Sequence, residues 1–348
     1  MALPKELEAP DLSGTLTQES VSEGSAPVGL TLELIENASW FLRGRVRHTP
    51  LESSPELSEL LRVPVWLKLE CLQTTGSFKL RGALFRLSRL SEEEKRAGVF
   101  TCSAGNHGKG VAYAAKALGL RPTIVVPSSI DESKYRAMVA MGAEVIRSRS
   151  PGYDDTETWA MEEARRIHKT WISAFDDDDI MAGNGGSLAL EILEDLPEAE
   201  SFVVPVGGGG LAAGLSYAVK ARREKAIVVG CSHELSPALA LSLKQGAAVT
   251  RLPAAVTTAG GLEGGIGQKP FEILRTRVDR VALVSKADLF GAVRWTFDSH
   301  QYVIETSSAA AIAACLSGKV AQLRGPTVLV LTGRNLSAGT LQKILAGT

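Results

Sequence analysis

A lysine stands between an aromatic residue and a leucine in the run Thr74-Thr75-Gly76-Ser77-Phe78-Lys79-Leu80-Arg81-Gly82-Ala83. A lysine amine of ordinary pKa, about 10.4, is neutral in fewer than ~0.1% of molecules at pH 7. Only the neutral amine is a nucleophile, so a working lysine must be desolvated or held as a Schiff base. Small hydroxyl residues before Lys79 and apolar residues beside it suit that chemistry, and they suit a surface lysine at a helix start as well.

Three further stretches could bind or orient small molecules. In Phe202-Val203-Val204-Pro205-Val206-Gly207-Gly208-Gly209-Gly210-Leu211-Ala212 a β-branched strand runs into four glycines and then an apolar helix. Without Cβ atoms such a loop can turn its N–H groups onto an anion, and the helix N-terminus adds positive potential. A phosphate monoester fits this. A dinucleotide is the rival, because Gly207, Gly209 and Ala212 fall at G-x-G-x-x-A spacing. That would make the chain an NAD-dependent dehydrogenase, but the loop lies mid-chain and Glu234 is the sole candidate acid after it.

In Thr101-Cys102-Ser103-Ala104-Gly105-Asn106-His107-Gly108-Lys109 small and polar residues crowd a strand-to-helix junction, a place suited to a carboxylate. The plainer alternative is Ser103 or Asn106 as a helix cap with His107 in solvent. Val328-Leu329-Val330-Leu331-Thr332-Gly333 ends an apolar strand on a hydroxyl, at the sheet edge where α/β ligand sites form. A solvent-facing turn would read the same way.

Positioning these stretches takes an α/β fold. From Leu30 onward short apolar runs alternate with helical periods at βαβ spacing, which implies parallel sheets with right-handed crossovers. Strands are expected at 63–69, 99–101, 121–127 and 143–146. Lys79 to Leu90 reads as an amphipathic helix with Leu80, Ala83, Leu84 and Leu87 on its apolar face. A helix from Lys109 to Leu118 follows the second loop. Residues 100–172 read as a small α/β domain inserted into a larger one formed by 29–99 and 173–348. Residues 1–28, rich in Ser, Glu, Pro and Gly, read as a mobile tail.

The balance of 38 basic against 39 acidic residues, net −1, gives no reason to expect nucleic acid or an anionic membrane as partner. No apolar run approaches the ~18 residues of a membrane span. The start of the chain lacks the order of a signal peptide. Cys71, Cys102, Cys231 and Cys315 show no metal or redox spacing, which suits reduced thiols in a cytoplasmic enzyme. Asp176-Asp177-Asp178-Asp179 reads as a solvated turn before a helix rather than a metal site, and Asp154-Asp155 and Glu194-Asp195 as solvated faces. No metal is expected.

Taken in order, the Lys79 stretch, Ser103-Ala104-Gly105-Asn106-His107-Gly108, the four glycines and Thr332-Gly333 resemble the pyridoxal-phosphate enzymes of fold type II. The likeness is to their branch of threonine/serine dehydratases and serine racemases. Phe175-Asp176-Asp177, Ala182-Gly183-Asn184-Gly185 and Leu190-Glu191-Ile192-Leu193 extend it, from about residue 30 to 345. The resemblance implies two domains, each a mostly parallel sheet flanked by helices, and a homodimer acting on a small amino acid. It implies pyridoxal 5'-phosphate held as an imine by Lys79, which also serves as the base at Cα. Phe78 would lie against the ring, Gly207 to Gly210 and the Leu211 amide would bind the phosphate, and Asn106 the ring hydroxyl. Thr332 would face the pyridine nitrogen, and the loop of Ser103, Ala104, Gly105, Asn106 and His107 would hold the substrate carboxylate.

The implied reaction is elimination from a β-hydroxy amino acid such as L-threonine or L-serine, giving a keto acid and ammonia. Dehydration of 3-hydroxyaspartate or phenylserine, and racemisation, are its alternatives. Racemase relatives carry a serine where this chain has Ala104, and a methyl group donates no proton. Relatives that bind a divalent ion carry Glu-Pro after the strand that here leads to Ser232-His233-Glu234-Leu235-Ser236-Pro237, so that site is expected to be absent or rebuilt. Gly260 stands where an acid is common.

Overall fold

The computed structural model describes residues 29–103, 105–253 and 257–347; the expected tail over 1–28 and Ala104 lie outside the described residues. Ten strands form two sheets. They are β1 (Leu51–Ser53), β2 (Val65–Lys68), β3 (Val99–Cys102), β4 (Pro122–Val126), β5 (Glu144–Arg147), β6 (Thr170–Trp171), β7 (Ser201–Pro205), β8 (Ile227–His233), β9 (Arg280–Val284) and β10 (Thr327–Val330). The six-stranded sheet runs β1-β2-β10-β7-β8-β9 and the four-stranded one β5-β4-β3-β6. Only the β1–β2 pair is antiparallel. Every residue of β7, β8 and β10 is buried, which is why their middles are continuous apolar runs and not alternating ones.

The order of the larger sheet builds the site. Because β10 lies between β2 and β7 and runs parallel to both, the segments leaving all three emerge at one edge. Those segments carry Lys79, Thr332 and the four glycines. The first two are also stitched together: Cys71 N donates to Leu331 O at 2.8 Å and Phe78 N to Thr332 O at 3.2 Å. The smaller sheet sends its own loop, after β3, to the same place. Helix Lys79–Ser88 packs on helix Asn106–Ala117 at Gly110, where a Cβ would come 3.1 Å from the Lys79 carbonyl. Glycine there lets the two loops approach.

Helix Lys79–Ser88 is not amphipathic in the expected sense. Arg81, on its polar side, is 1% exposed. Its guanidinium pairs with Glu70 at 2.7 Å and with Glu191 at 2.9 Å. Lys68 joins Glu191 at 2.8 Å and Asp195 at 2.9 Å, and Thr49 Oγ1 donates to Glu70 at 2.6 Å. Burial opposes the charge on Glu191, but Arg81 and Lys68 override it and hold the carboxyl down to about 2. This buried network ties β2, the Lys79 helix and helix Ser187–Asp195 into the floor under the site.

The acidic runs also differ from the expected solvated faces. Asp176 accepts from Gln268 N and Lys269 N at 3.1 and 3.0 Å, capping helix Gln268–Arg277. Asp177 caps helix Asp178–Met181 through Ile180 N at 2.9 Å and pairs with Arg86 at 3.1 Å. Asp178 pairs with Lys269 at 2.5 Å and Asp179 with Arg89 at 2.8 Å. Four neighbouring carboxylates thus have separate partners. Asp154 is half-buried and Asp195 belongs to the network above.

Candidate active site

Lys79 is the first residue of its helix, and its Nζ donates to Ala174 O at 2.6 Å. The Nζ lies 5.4 Å from the centroid of the Phe78 ring. Burial lowers the amine to about 8, with the Glu157 carboxylate pulling the other way. At that value roughly a tenth of the amine is neutral at pH 7, against well under a thousandth for a solvated lysine. The desolvation that the chemistry demands is therefore present, and Lys79 is no surface lysine.

A cavity of about 470 Å³ opens around it. Gly207, Gly208, Gly209, Gly210, Leu211 and Thr332 line it from the larger sheet. Ser103, Gly105, Asn106 and His107 line it from the smaller one, and Phe78 and Lys79 lie between. The residues singled out in the sequence thus meet in one place, Ala104 being outside the described residues.

The glycine loop is closed to side chains. Gly209 has φ +87° and precedes helix Gly210–Arg222 with no side-chain cap. A Cβ on Gly207 would meet the Gly261 carbonyl, and one on Gly208 the Phe175 ring. On Gly210 it would come 2.7 Å from Phe175 O. What faces the cavity is backbone at a helix N-terminus, a cradle for a phosphate.

The second loop brings side chains to the cavity as well as backbone. Its helix starts at Asn106 after Gly105 and has no side-chain cap, so neither Ser103 nor Asn106 plays the capping part; Ser103 Oγ accepts from Gly105 N at 3.2 Å. His107 is 3% exposed, not solvated. Its Nε2 lies 3.1 Å from Thr101 Oγ1, whose single proton goes to Ile172 O at 2.7 Å. Nε2 must then donate, which leaves Nδ1 as a buried acceptor with no partner. Burial, aided by the charge on Lys79, pushes His107 down to about 3 and keeps it neutral.

Asn106 is clamped at both ends of its amide. Nδ2 donates to Glu305 Oε1 at 2.5 Å, and Oδ1 accepts from Asn335 Nδ2 at 2.6 Å. Lys109 Nζ donates to Asn335 Oδ1 at 2.9 Å. A Cβ on Gly333 would come 2.6 Å from Glu305 Oε1, so the glycine after Thr332 makes room for this acid. Burial raises the Glu305 carboxyl, and the Asn106 hydrogen bond draws it back. Sequence reasoning missed Glu305. Its one local mark is a lone acid in Ile304-Glu305-Thr306-Ser307-Ser308, before the helix Ala310–Leu316. Ser307, whose Oγ accepts from Gly261 N at 2.9 Å behind the glycine loop, was missed too.

These residues fit pyridoxal phosphate: a side-chain-free cradle for its phosphate, a desolvated amine for its aldehyde, and a buried polar cluster for its ring substituents. Comparison with known proteins agrees. The chain is 35% identical over 317 residues to the L-threonine ammonia-lyase of Geobacter sulfurreducens, covering 91% of this chain and 78% of that one. Its fold superposes on the processed form of threonine deaminase isoform 2 from Solanum lycopersicum with a TM-score of 0.84 at 28% identity, covering 100% of both chains. On serine racemase from Dictyostelium discoideum the TM-score is 0.80 at 28% identity, with coverage of 88% of this chain and 99% of that one. The fold is that of the fold type II group. A phosphate monoester rather than a dinucleotide is accordingly the ligand of the glycine loop's family. With residues 42–333 matched by the family's sequence profile, the chain belongs to the pyridoxal-phosphate dependent enzymes.

Proposed function

We propose that this enzyme is an ammonia-lyase that eliminates the β-hydroxyl of L-threonine or L-serine, releasing a 2-keto acid and ammonia. The observation that carries the reading is the desolvated Lys79 amine, set between a phosphate cradle and a polar loop in one cavity. Relatives named L-threonine ammonia-lyase at 35–36% identity support it.

When bound, pyridoxal phosphate supplies an electron sink for the pair left at Cα. The chain's residues do the rest. Lys79 holds the cofactor covalently through its amine and, once exchanged for the substrate amine, takes the Cα proton. Gly207 to Gly210 and the Leu211 amide would hold the phosphate, Phe78 would flank the ring, Asn106 would meet the ring hydroxyl, and Thr332 would meet the ring nitrogen. A neutral hydroxyl at that nitrogen leaves it largely unprotonated, which suits a reaction whose leaving group departs quickly. The loop from Ser103 to His107 holds the substrate carboxylate by N–H groups at its helix start. The β-hydroxyl leaves as water, the proton removed from Cα balancing the one it gains, and the enamine set free takes up water to give keto acid and ammonia.

Ala104, a methyl group where racemisation needs a second proton donor, favours elimination over racemisation. We also propose that residues 29–99 and 173–348 form a cofactor-binding domain and 100–172 a smaller one. A cytoplasmic homodimer is the further expectation; four free, buried cysteines suit a reducing compartment.

Purified protein should be yellow, and borohydride should bleach it. Serine, threonine, 3-hydroxyaspartate and phenylserine, assayed for keto acid and ammonia, rank the substrates. Lys79→Ala should lose at least ~10³-fold in kcat. A colourless protein, or net racemisation without keto acid, sinks the reading.

A further inference from the structure

One polar pair, a residue of the cavity wall and the acid behind it, has no part in the roles above. Tyr153 opens helix Tyr153–Arg166 and lines the cavity. Its phenol donates to Glu157 Oε1 at 3.0 Å, one turn further along the same face. Glu157 is half-buried and forms no ion pair among the described residues. A desolvated carboxylate with no cation in contact is costly to keep, and such groups gather where ligands bind. The charged groups acting on it are Asp154 from its own helix, Lys79 from the helix across the cavity and Asp176 from the loop beyond β6. Burial, first of all, raises the Glu157 carboxyl to about 7 against the pull of the Tyr153 hydrogen bond, and the Glu157 charge adds to burial in pushing the Cys102 thiol on β3 up.

We propose that Tyr153 and Glu157 read the heteroatom on the substrate's β-carbon. With its own proton drawn to Glu157, the phenol oxygen turns lone pairs to the cavity and accepts a hydrogen bond from a β-hydroxyl or β-ammonium group. The pair selects amino acids with a hydrogen-bond donor on Cβ and disfavours a second carboxylate there, because a carboxylate offers the phenol oxygen no hydrogen and Glu157 behind the phenol repels it whenever ionised. Lys134, the lysine that could have welcomed such a carboxylate, also lines the cavity but acts on Lys109 and Glu305, on the Asn106 side. The inference rests on the elimination reading and narrows its substrate class.

The test uses the holoenzyme and follows the cofactor absorption band in stopped flow as L-serine or L-alanine, which lacks the β-oxygen, is added. Tyr153→Phe keeps the ring and should weaken serine binding about tenfold while leaving alanine within about twofold. Glu157→Gln should shift the preference for 2,3-diaminopropionate over 3-hydroxyaspartate by about fivefold toward the diacid. Serine affinity unchanged in Tyr153→Phe, or serine and alanine weakened together, overturns the proposal. An unchanged preference in Glu157→Gln overturns the selection by charge. If wild type releases no keto acid yet tells serine from alanine through Tyr153, elimination fails and the pair stands; if it releases keto acid without that discrimination, elimination stands and the pair fails.

Discussion

Two loops face each other across the cavity, and each leaves the carboxyl end of a parallel strand to open a helix. They share a position in their sheets and differ in how they meet a ligand. After β7 and Val206 the loop is all glycine, and its own neighbours forbid a Cβ: the Gly261 carbonyl, the Phe175 ring and the Phe175 backbone. After β3 the loop presents Ser103, Asn106 and His107, and around Gly105 a Cβ would meet nothing within 4 Å. One presents backbone fixed by local packing. The other presents side chains as well, and the placement of Asn106 among them depends on residues far away in sequence, Glu305 and Asn335.

The largest contrast should appear in Gly210→Val. Its Cβ would lie 2.7 Å from Phe175 O and 2.9 Å from Phe175 Cα, and backbone atoms cannot swing aside as a side chain can. Overpacking of this kind costs about 1–3 kcal/mol, so cofactor retention should fall roughly 10- to 100-fold. Equilibrium dialysis of the cofactor, read against thermal unfolding, measures it. Retention equal to wild type would mean that the loop flexes, and the contrast with the other loop would dissolve.

The same contrast explains what was legible in the sequence. Gly207 to Gly210 announce the role proposed for them by composition, because a backbone site needs only the absence of side chains. Buried parallel strands announce themselves as apolar runs. The insertion of β10 between β2 and β7, which gathers three segments at one edge, has no local signature. Neither does the support of Asn106: Glu305 lies 199 residues away in the chain and Asn335 229. The acids Asp176 to Asp179 misled for the same reason, since their partners Arg86, Arg89 and Lys269 come from other helices. Arg81 looked like the solvated side of a helix, and nothing near it in sequence told of Glu191.

A smaller effect should follow from loosening that borrowed support. Glu305→Gln keeps the shape of the side chain but replaces a hydrogen bond to an acid with one to an amide, whose own NH₂ would face Asn106 in one of its two orientations. Hydrogen bonds to charged groups contribute about 1.5–3 kcal/mol and neutral ones nearer 1, so a loss of about tenfold in kcat/KM is expected. The cofactor absorption band should shift, because Asn106 is the group assigned to the ring hydroxyl. Phosphate affinity, tested with inorganic phosphate on the apoprotein, should hold, since the glycine loop stands on its own packing. A fall in phosphate binding alongside kcat/KM would show the two loops to be one unit.

The smallest effect is expected at Gly105→Ala. The position resembles Gly210 in sequence terms, a glycine at a helix start beside the cavity, yet its φ is −153° and the space around it is open. Beyond its chain neighbours an added methyl group meets no atom of the described residues, so cofactor retention and thermal stability should stay within about 0.5 kcal/mol of wild type, the range of a substitution away from packed features. Any cost should appear when an amino acid enters, as a raised KM for serine, because the methyl group shares the space assigned to the substrate carboxylate. Loss of cofactor to the extent seen in Gly210→Val would mean that the second loop is also set by packing. The division between a backbone-built wall and a side-chain-built wall would then have to be abandoned.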